Sequence, residues 1–151
     1  MYNHIVIPTD GSELSTHALD EALSLASKLG SKVTVMTVIE SYRLIAFSPE
    51  QVIDTRAEYE KYAREYAAQV LAEAADKAKA RGVACETAIV ENEQPYEAII
   101  AAARSRGADL IAMASHGRRG LSGLVLGSVT VKVLTHSTVP VLVYRQAAPA
   151  A

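Results

Sequence analysis

The sequence predicts one α/β domain: a doubly wound, five-stranded parallel sheet with helices on both faces. Short apolar runs alternate with longer helical patterns along the chain, which is typical of a parallel sheet with crossover helices. The central runs are apolar on both faces, as expected for strands covered from both sides. The chain has 151 residues, of which half are apolar and 21% are charged, and this composition suits a single globular domain.

The strands are predicted from short runs rich in apolar and β-branched residues. The first run, Ile5-Val6-Ile7, is apolar on both faces, and the second reads VTVMTVI. The last reads VPVLVY and carries no charge. In chain order, the predicted strands are 5–8, 33–39, 85–90, 110–114 and 139–144.

The helices are predicted from apolar residues spaced by three and four and from start and stop signals. Ser12 can cap the first helix, and Gly30 suits the residue that follows it. Residues 40–48 are irregular, and Ser48-Pro49 then starts a second helix, with or without an internal break. In order, the predicted helices are 13–29, 49–81, 95–107 and 128–136.

Unusual residues follow two of the predicted strands. The first strand ends in Pro8-Thr9-Asp10, and the fourth ends in Ala114-Ser-His-Gly117. A strand order of 3-2-1-4-5 makes strands 1 and 4 neighbours. Open parallel sheets bind ligands at the carboxyl ends of the strands, where the winding reverses. We therefore expect both strand ends to face one crevice.

The glycine-rich segment after the fourth strand predicts a phosphate site. A phosphate cradle needs backbone N–H groups that approach oxygens without Cβ atoms in the way. The segment leads into a helix at Gly127-Ser128, and a helix N-terminus favours anions. Its glycines are Gly117, Gly120, Gly123 and Gly127. The nearby positive charges are Arg118, Arg119 and Lys132. The alternative is a mobile surface loop.

Several classes of protein are excluded or disfavoured. Neither G-x-x-x-x-G-K-[ST] nor an early G-x-G-x-x-G is present, so a Walker-type NTPase and a dinucleotide dehydrogenase are not expected. The net charge of −2 argues against nucleic acid as a partner. The single Cys85 allows no internal disulfide, and no targeting segment or membrane span is visible, so we expect a cytoplasmic protein with no membrane partner.

The chain resembles the universal stress protein family over residues 2–145. The matching segments are IVIPTDGS, VTVMTVIE and ASHGRRGLSGLVLGSVTVKVLTHSTVPVLVYR. The ATP-binding branch of that family carries G-x-x-G, nine residues, and then G-[ST]. Gly117, Gly127 and Ser128 match this pattern, whereas Ala114 stands at the first glycine. The resemblance implies a Rossmann-like, adenine nucleotide alpha hydrolase-like domain over 1–145. The residues after it, 146–151, are expected from their sequence to be a disordered tail.

The resemblance also implies an adenine nucleotide as ligand, namely ATP, ADP or AMP, with or without Mg²⁺. It implies that Asp10, flanked by Pro8 and Thr9, contacts the ribose and adenosine end. It places Val38 and Met113 at the adenine. Ala114 would lie beneath the ribose and first phosphate, where its methyl group is tolerated or narrows the site. The residues that the resemblance implies at the phosphates are Gly117, Gly127, Ser128 and Val129, and the nearby charge of Arg118 makes it a further candidate at the phosphates.

Three functions remain open at this stage. The first is a small ATP-binding regulatory protein of the stress response. The second is a dimeric adaptor that binds no nucleotide. The third is a nucleotide-hydrolysing or nucleotidyl-transferring enzyme, which rests on fold analogy alone. No catalytic constellation emerges from the residues, so we do not expect an enzyme.

Two further features accompany these alternatives. The uncharged fifth strand, Val139 to Tyr144, predicts a homodimer because it lies at an edge of the sheet. Tyr59, Tyr62 and Tyr66 share one helix face, and we interpret that stripe as packing rather than as a cofactor site.

Overall fold

The computed structural model describes residues 1–40, 49–117 and 125–145, and in the second helix it describes side chains from Thr55 onward. The five strands are β1 (His4–Pro8), β2 (Lys32–Ile39), β3 (Cys85–Glu91), β4 (Leu110–Ala114) and β5 (Val141–Tyr144). The four helices are α1 (Glu13–Leu29), α2 (Pro49–Ala80), α3 (Pro95–Ser105) and α4 (Ser128–His136).

The five strands form one parallel sheet in the order β3-β2-β1-β4-β5, which confirms the predicted topology. Pro8 at the end of β1 lies opposite Met36 of β2, and Val6 lies opposite Ile111 of β4. β1 and β4, the two strands whose carboxyl ends the sequence singled out, are therefore direct neighbours. The winding of the sheet reverses at this point, as required for a doubly wound fold.

Helices cover both faces of the sheet. α1 and α2 enclose one apolar cluster, and α3 and α4 enclose the other. Side chains of β1 alternate between them, because Ile5 and Ile7 face the first cluster and Val6 faces the second. All three are fully buried. The sheet is thus covered on both sides.

The first helix begins and ends as its sequence signals predict. Ser12 is the N-cap, and its hydroxyl accepts a hydrogen bond from the Ser15 N–H at 3.3 Å. Gly30 ends the helix with a φ of 70°, a left-handed conformation that favours glycine. The N-cap fixes where α1 begins, and so it also fixes the course of the short segment between β1 and α1.

Two predicted elements differ from the structure. α2 is one continuous helix of 32 residues, so no break is present. β5 begins at Val141 rather than at Val139. The Val139 N–H donates to Ser137 Oγ in a local turn, and Pro140 has no N–H to donate to a ladder. Residues 41–48, most of the glycine-rich segment (118–124) and the tail (146–151) lie outside the described residues.

At the other end of the sheet, a buried histidine forms hydrogen bonds with two neighbouring segments. His4 is 4% exposed. Its Nδ1 lies 3.1 Å from the Arg106 carbonyl oxygen, and its Nε2 lies 2.8 Å from Thr34 Oγ1. A carbonyl only accepts, so Nδ1 carries the proton and Nε2 accepts from the Thr34 hydroxyl. Burial lowers the pKa of His4, which favours this neutral form.

Candidate functional site

A cleft of about 600 Å³ opens at the carboxyl ends of β1 and β2, between α2 and the start of α4. This is the edge where the winding of the sheet reverses, and the volume falls within the range of roughly 300–1,000 Å³ typical of small-molecule sites. Six of the predicted site residues line it: Asp10, Val38, Gly117, Gly127, Ser128 and Val129. The structure therefore brings the ends of strands 1, 2 and 4 together at one site.

Asp10 is held in a fixed orientation at the floor of the cleft. Its Oδ1 accepts hydrogen bonds from the Ser12 N–H at 2.9 Å and from the Ser15 hydroxyl at 2.8 Å. The Asp10 side chain therefore shapes the turn before α1 as well as the cleft. Its carboxylate is an acceptor, which suits the hydroxyl groups of a ribose.

The N-terminus of α4 forms the anion-binding end of the cleft. The first N–H groups of a helix have no partner within that helix, and Gly127 at the N-cap brings no side chain to cap them. Ser128, Val129 and Thr130 line the cleft at this end. The Thr130 hydroxyl donates to the Ala114 carbonyl at 3.0 Å and so anchors the helix to the end of β4. Backbone N–H groups in this position suit phosphate oxygens.

Gly127 differs from its expected role. Its N–H donates to the Ser115 carbonyl at 2.8 Å, so this group is used within the protein and is not available to a phosphate. A Cβ at residue 127 would lie 2.9 Å from His116 Cβ and 3.0 Å from His116 Cα. Glycine is therefore required at this position by the neighbouring backbone, whether or not a ligand binds.

Gly117 packs directly against Asp10. A Cβ at residue 117 would collide with Asp10 Oδ2 and would lie 3.4 Å from Asp10 Cγ. The absence of a side chain therefore lets the first residues after β4 approach the end of β1. Because of this contact, the glycine-rich segment begins beside the carboxylate.

Four predicted site residues do not line the cleft. Thr9, Met113 and Ala114 are at least 93% buried. Pro8 is partly buried at the end of β1, and it too is absent from the cleft walls. These residues therefore support the site from below. Arg118, which was expected at the phosphates, lies outside the described residues, as does Arg119.

Lys132 also lies away from the cleft. Its ammonium group is 5.4 Å from the centre of the Tyr96 ring, in a cation–π contact between α4 and α3. The expected positive charge near the phosphates therefore does not come from this lysine. Among the described residues, the helix N-terminus is the feature of the cleft that favours an anion.

The tyrosine stripe of α2, interpreted from the sequence as packing of the core or of a loop, lines the cleft and does not lie in the core; any packing against residues 41–48 lies outside the described residues. Tyr62 is 70% exposed and Tyr59 is 38% exposed, and both line the cleft together with Tyr66. The Tyr66 hydroxyl donates to the Asp10 carbonyl at 3.4 Å. The spacing of three and four was visible in the sequence, but nothing in that pattern shows what this face of α2 meets. The sequence analysis did not single out Thr37, which lines the same cleft, and it left His116 open between a phosphate contact and an exposed loop histidine; His116 lines the cleft as well.

The described residues form neither a metal-binding cluster nor a membrane-spanning helix. Within residues 1–40, 49–117 and 125–145, no three His, Cys, Asp or Glu side chains gather to hold a metal ion. In the same ranges, no helix is both long enough and apolar enough to cross a membrane.

Comparison with known proteins gives one consistent result. A model of the universal stress protein family matches residues 1–145. The universal stress protein YxiE of Bacillus subtilis is 34% identical over 152 residues, which cover 96% of this chain and 100% of the relative. The universal stress protein MJ0577 of Methanocaldococcus jannaschii is 28% identical over 157 residues, which cover 97% of this chain and 96% of the relative.

Solved structures agree with the sequence matches. The structure of MJ0577 has a TM-score of 0.82 to this chain at 29% identity and covers 98% of this chain and 99% of its own. A universal stress protein solved in complex with cAMP has a TM-score of 0.71 at 29% identity and covers 97% of this chain and 99% of its own. The length, fold and sequence of the match lead to one conclusion: the chain belongs to the universal stress protein family.

Proposed function

We propose that this chain is a small regulatory protein that binds an adenine nucleotide in the cleft, with ATP as the first candidate and ADP or AMP as alternatives. One observation carries the proposal: the first turn of α4, whose N-cap glycine makes no side-chain cap, and the Asp10 carboxylate line the same cleft. The first suits phosphates and the second suits ribose hydroxyls. The relative solved with cAMP supports an adenine nucleotide as the class of ligand.

The walls of the cleft suit the remaining parts of the ligand. Val38 and Ile39 at the end of β2 supply apolar surface, and the tyrosines of α2 supply aromatic surface on which a base can stack. With no acidic cluster in the described residues to hold a metal, Mg²⁺ would reach the site on the phosphates of the nucleotide. Regulation would follow from the ligand stabilising the segments that border the cleft.

Calorimetric titration and thermal unfolding test the proposal. ATP at a hundred times its Kd should stabilise the protein by about 2.7 kcal/mol, which raises the melting temperature by roughly 5–10 °C. GTP, which carries guanine in place of adenine, tests whether binding depends on the base. Asp10→Asn should weaken binding, whereas Asp76→Asn on the exposed side of α2 should not. Absence of binding heat and of a thermal shift with millimolar ATP, ADP, AMP and cAMP, with and without Mg²⁺, refutes the proposal.

The proposal includes a cytoplasmic location and no catalytic step. Prolonged incubation with ATP, followed by separation of the products, tests the second point. Cell fractionation tests the first. Release of ADP or AMP above the rate of a protein-free blank would move the chain into the enzyme class.

A homodimer through the fifth strand is the second part of the proposal. β5 stands at the edge of the sheet, and Leu142 is 36% exposed there. An uncharged, partly exposed edge strand favours pairing with a second copy about a twofold axis. The alternative function, a dimeric adaptor without nucleotide, rests on this same edge. A dimer that binds none of the four nucleotides would favour the adaptor.

A further inference from the structure

A chain of buried hydroxyl groups ends on the Asp10 carboxylate. Thr9 is 6% exposed and Ser15 is 4% exposed. Thr9 Oγ1 lies 3.0 Å from Ser15 Oγ, and Ser15 Oγ lies 2.8 Å from Asp10 Oδ1. Asp10 lines the cleft, but Thr9 and Ser15 do not. These hydroxyls therefore affect a ligand in the cleft through Asp10.

The direction of each hydrogen bond follows from its partner. A carboxylate only accepts, so Ser15 donates its hydroxyl proton to Asp10 Oδ1. Ser15 Oγ then accepts from the Thr9 hydroxyl, and Thr9 Oγ1 accepts from the Gly11 N–H at 3.3 Å. The hydrogen bond to the carboxylate is charge-assisted and is the strongest of the three.

Both donors hold the same carboxylate oxygen. Oδ1 accepts from Ser15 and also from the Ser12 N–H at 2.9 Å, while Oδ2 lies against Gly117 at the start of the glycine-rich segment. Two donors from different directions fix the plane of the carboxylate. That plane decides where Oδ2 points. Removal of the Ser15 hydroxyl takes away one of these two donors and so weakens the hold on the carboxylate plane.

We propose that Ser15 is a positioning residue for nucleotide binding: its hydroxyl orients the Asp10 carboxylate toward the ribose hydroxyls of the nucleotide. This inference rests on the nucleotide-binding function proposed above. An acceptor that is already oriented loses less freedom on binding than one that the ligand must immobilise, and so it binds more tightly. Ser15 itself touches no ligand.

The variant Ser15→Ala isolates this hydroxyl. It introduces no larger side chain, and it keeps the backbone N–H of residue 15 that caps α1 through Ser12. We expect the Kd for ATP to rise about tenfold, the loss that corresponds to one oriented hydrogen bond. Ser15→Thr retains the hydroxyl and should restore most of the affinity. Ser24→Ala is the matched control, because the Ser24 hydroxyl donates only to the Asp20 carbonyl within α1.

A second readout needs no ligand. The Ser12 N–H donates to Asp10 Oδ1, so its resonance in a ¹H–¹⁵N spectrum reports the orientation of the carboxylate. We expect this resonance to shift in Ser15→Ala, to return in Ser15→Thr and to stay unchanged in Ser24→Ala. Circular dichroism and the melting temperature of Ser15→Ala establish that the variant is folded.

The outcomes separate this inference from the proposed function. If the wild type binds no adenine nucleotide, the proposed function fails, and the Ser12 resonance alone decides whether Ser15 orients Asp10. If the wild type binds ATP and Ser15→Ala binds it equally well, the positioning role is overturned. An affinity loss that Ser15→Thr does not restore overturns it as well, because the hydroxyl would then not be the group that matters.

Discussion

Replacement of Gly11 by alanine should destabilise the fold more than the same change at Gly30, Gly82 or Gly107, which also have a positive φ. Gly11 has a φ of 77°, a conformation that alanine rarely adopts. A Cβ at residue 11 would also lie 2.8 Å from Val70 Cγ2 and would collide with the Tyr66 hydroxyl. Gly82 has nearly the same φ, 69°, but a Cβ there would meet no atom within 4 Å.

The comparison of the two glycines separates backbone strain from overpacking. The left-handed conformation costs a residue with a Cβ about 1–2 kcal/mol, and this is the whole effect expected for Gly82→Ala. Overpacking adds about 1–3 kcal/mol at residue 11, so Gly11→Ala should lower the free energy of unfolding by about 2–5 kcal/mol. The excess over Gly82→Ala measures how firmly α2 packs against the turn that carries Asp10.

Urea unfolding, followed by circular dichroism, measures both variants against the wild type. The m-values should remain equal, so that the midpoints report stability directly. If Gly11→Ala costs no more than Gly82→Ala, then Tyr66 and Val70 do not pack against residue 11 as described. In that case the position of the α2 tyrosines beside the cleft would also be wrong.

Three further changes test other parts of the structure. Because burial lowers the pKa of His4, the unfolded chain takes up a proton below about pH 6.5 that the folded protein resists. The free energy of unfolding should therefore fall by up to about 1.4 kcal/mol per pH unit between about pH 6.5 and the lower pKa of the folded protein. His4→Gln should reduce this pH dependence, and an unchanged slope contradicts the assignment to His4. Leu142→Lys should convert a dimer into a monomer, as measured by light scattering. Ile89→Lys is the control on the opposite edge strand, where Ile89 is equally 36% exposed, and it should leave the mass unchanged. If neither variant or both variants change the mass, the interface lies elsewhere. Gly117→Ala should displace the Asp10 carboxylate and weaken ATP binding in calorimetry, and unaltered affinity argues against that contact.

The fold could be predicted because its signals are local and repeated. The strand runs, the helix periodicity and the caps of α1 all lie within a few residues of the structure they specify. The parallel order then follows from the alternation of strands and helices. The start of β5 was placed at Val139 because the apolar run begins there, although the missing N–H of Pro140 already restricted pairing to the residues after it, and the strand begins at Val141.

The site was predicted less completely, because its residues are separated in sequence. The ends of β1 and β4 were recognised as neighbours from topology alone, and Asp10 and Ser128 lie where that reasoning placed them. Met113 and Ala114 were taken from the family pattern and are buried below the cleft. The tyrosine stripe was recognised but was assigned to packing, because a stripe of aromatic side chains indicates a face of a helix, not what that face meets.

The two described glycines of the motif bear on how far a glycine pattern indicates phosphate. Each makes a close contact within the protein: Gly117 with the Asp10 carboxylate, and Gly127 with Cα and Cβ of His116. A chain that binds no nucleotide would favour glycine at both positions for these contacts alone. The glycines therefore argue for a close approach between the ends of β1, β4 and α4. The argument for a phosphate comes from what that approach leaves at the cleft, which is a helix N-terminus with no side chain to cap it.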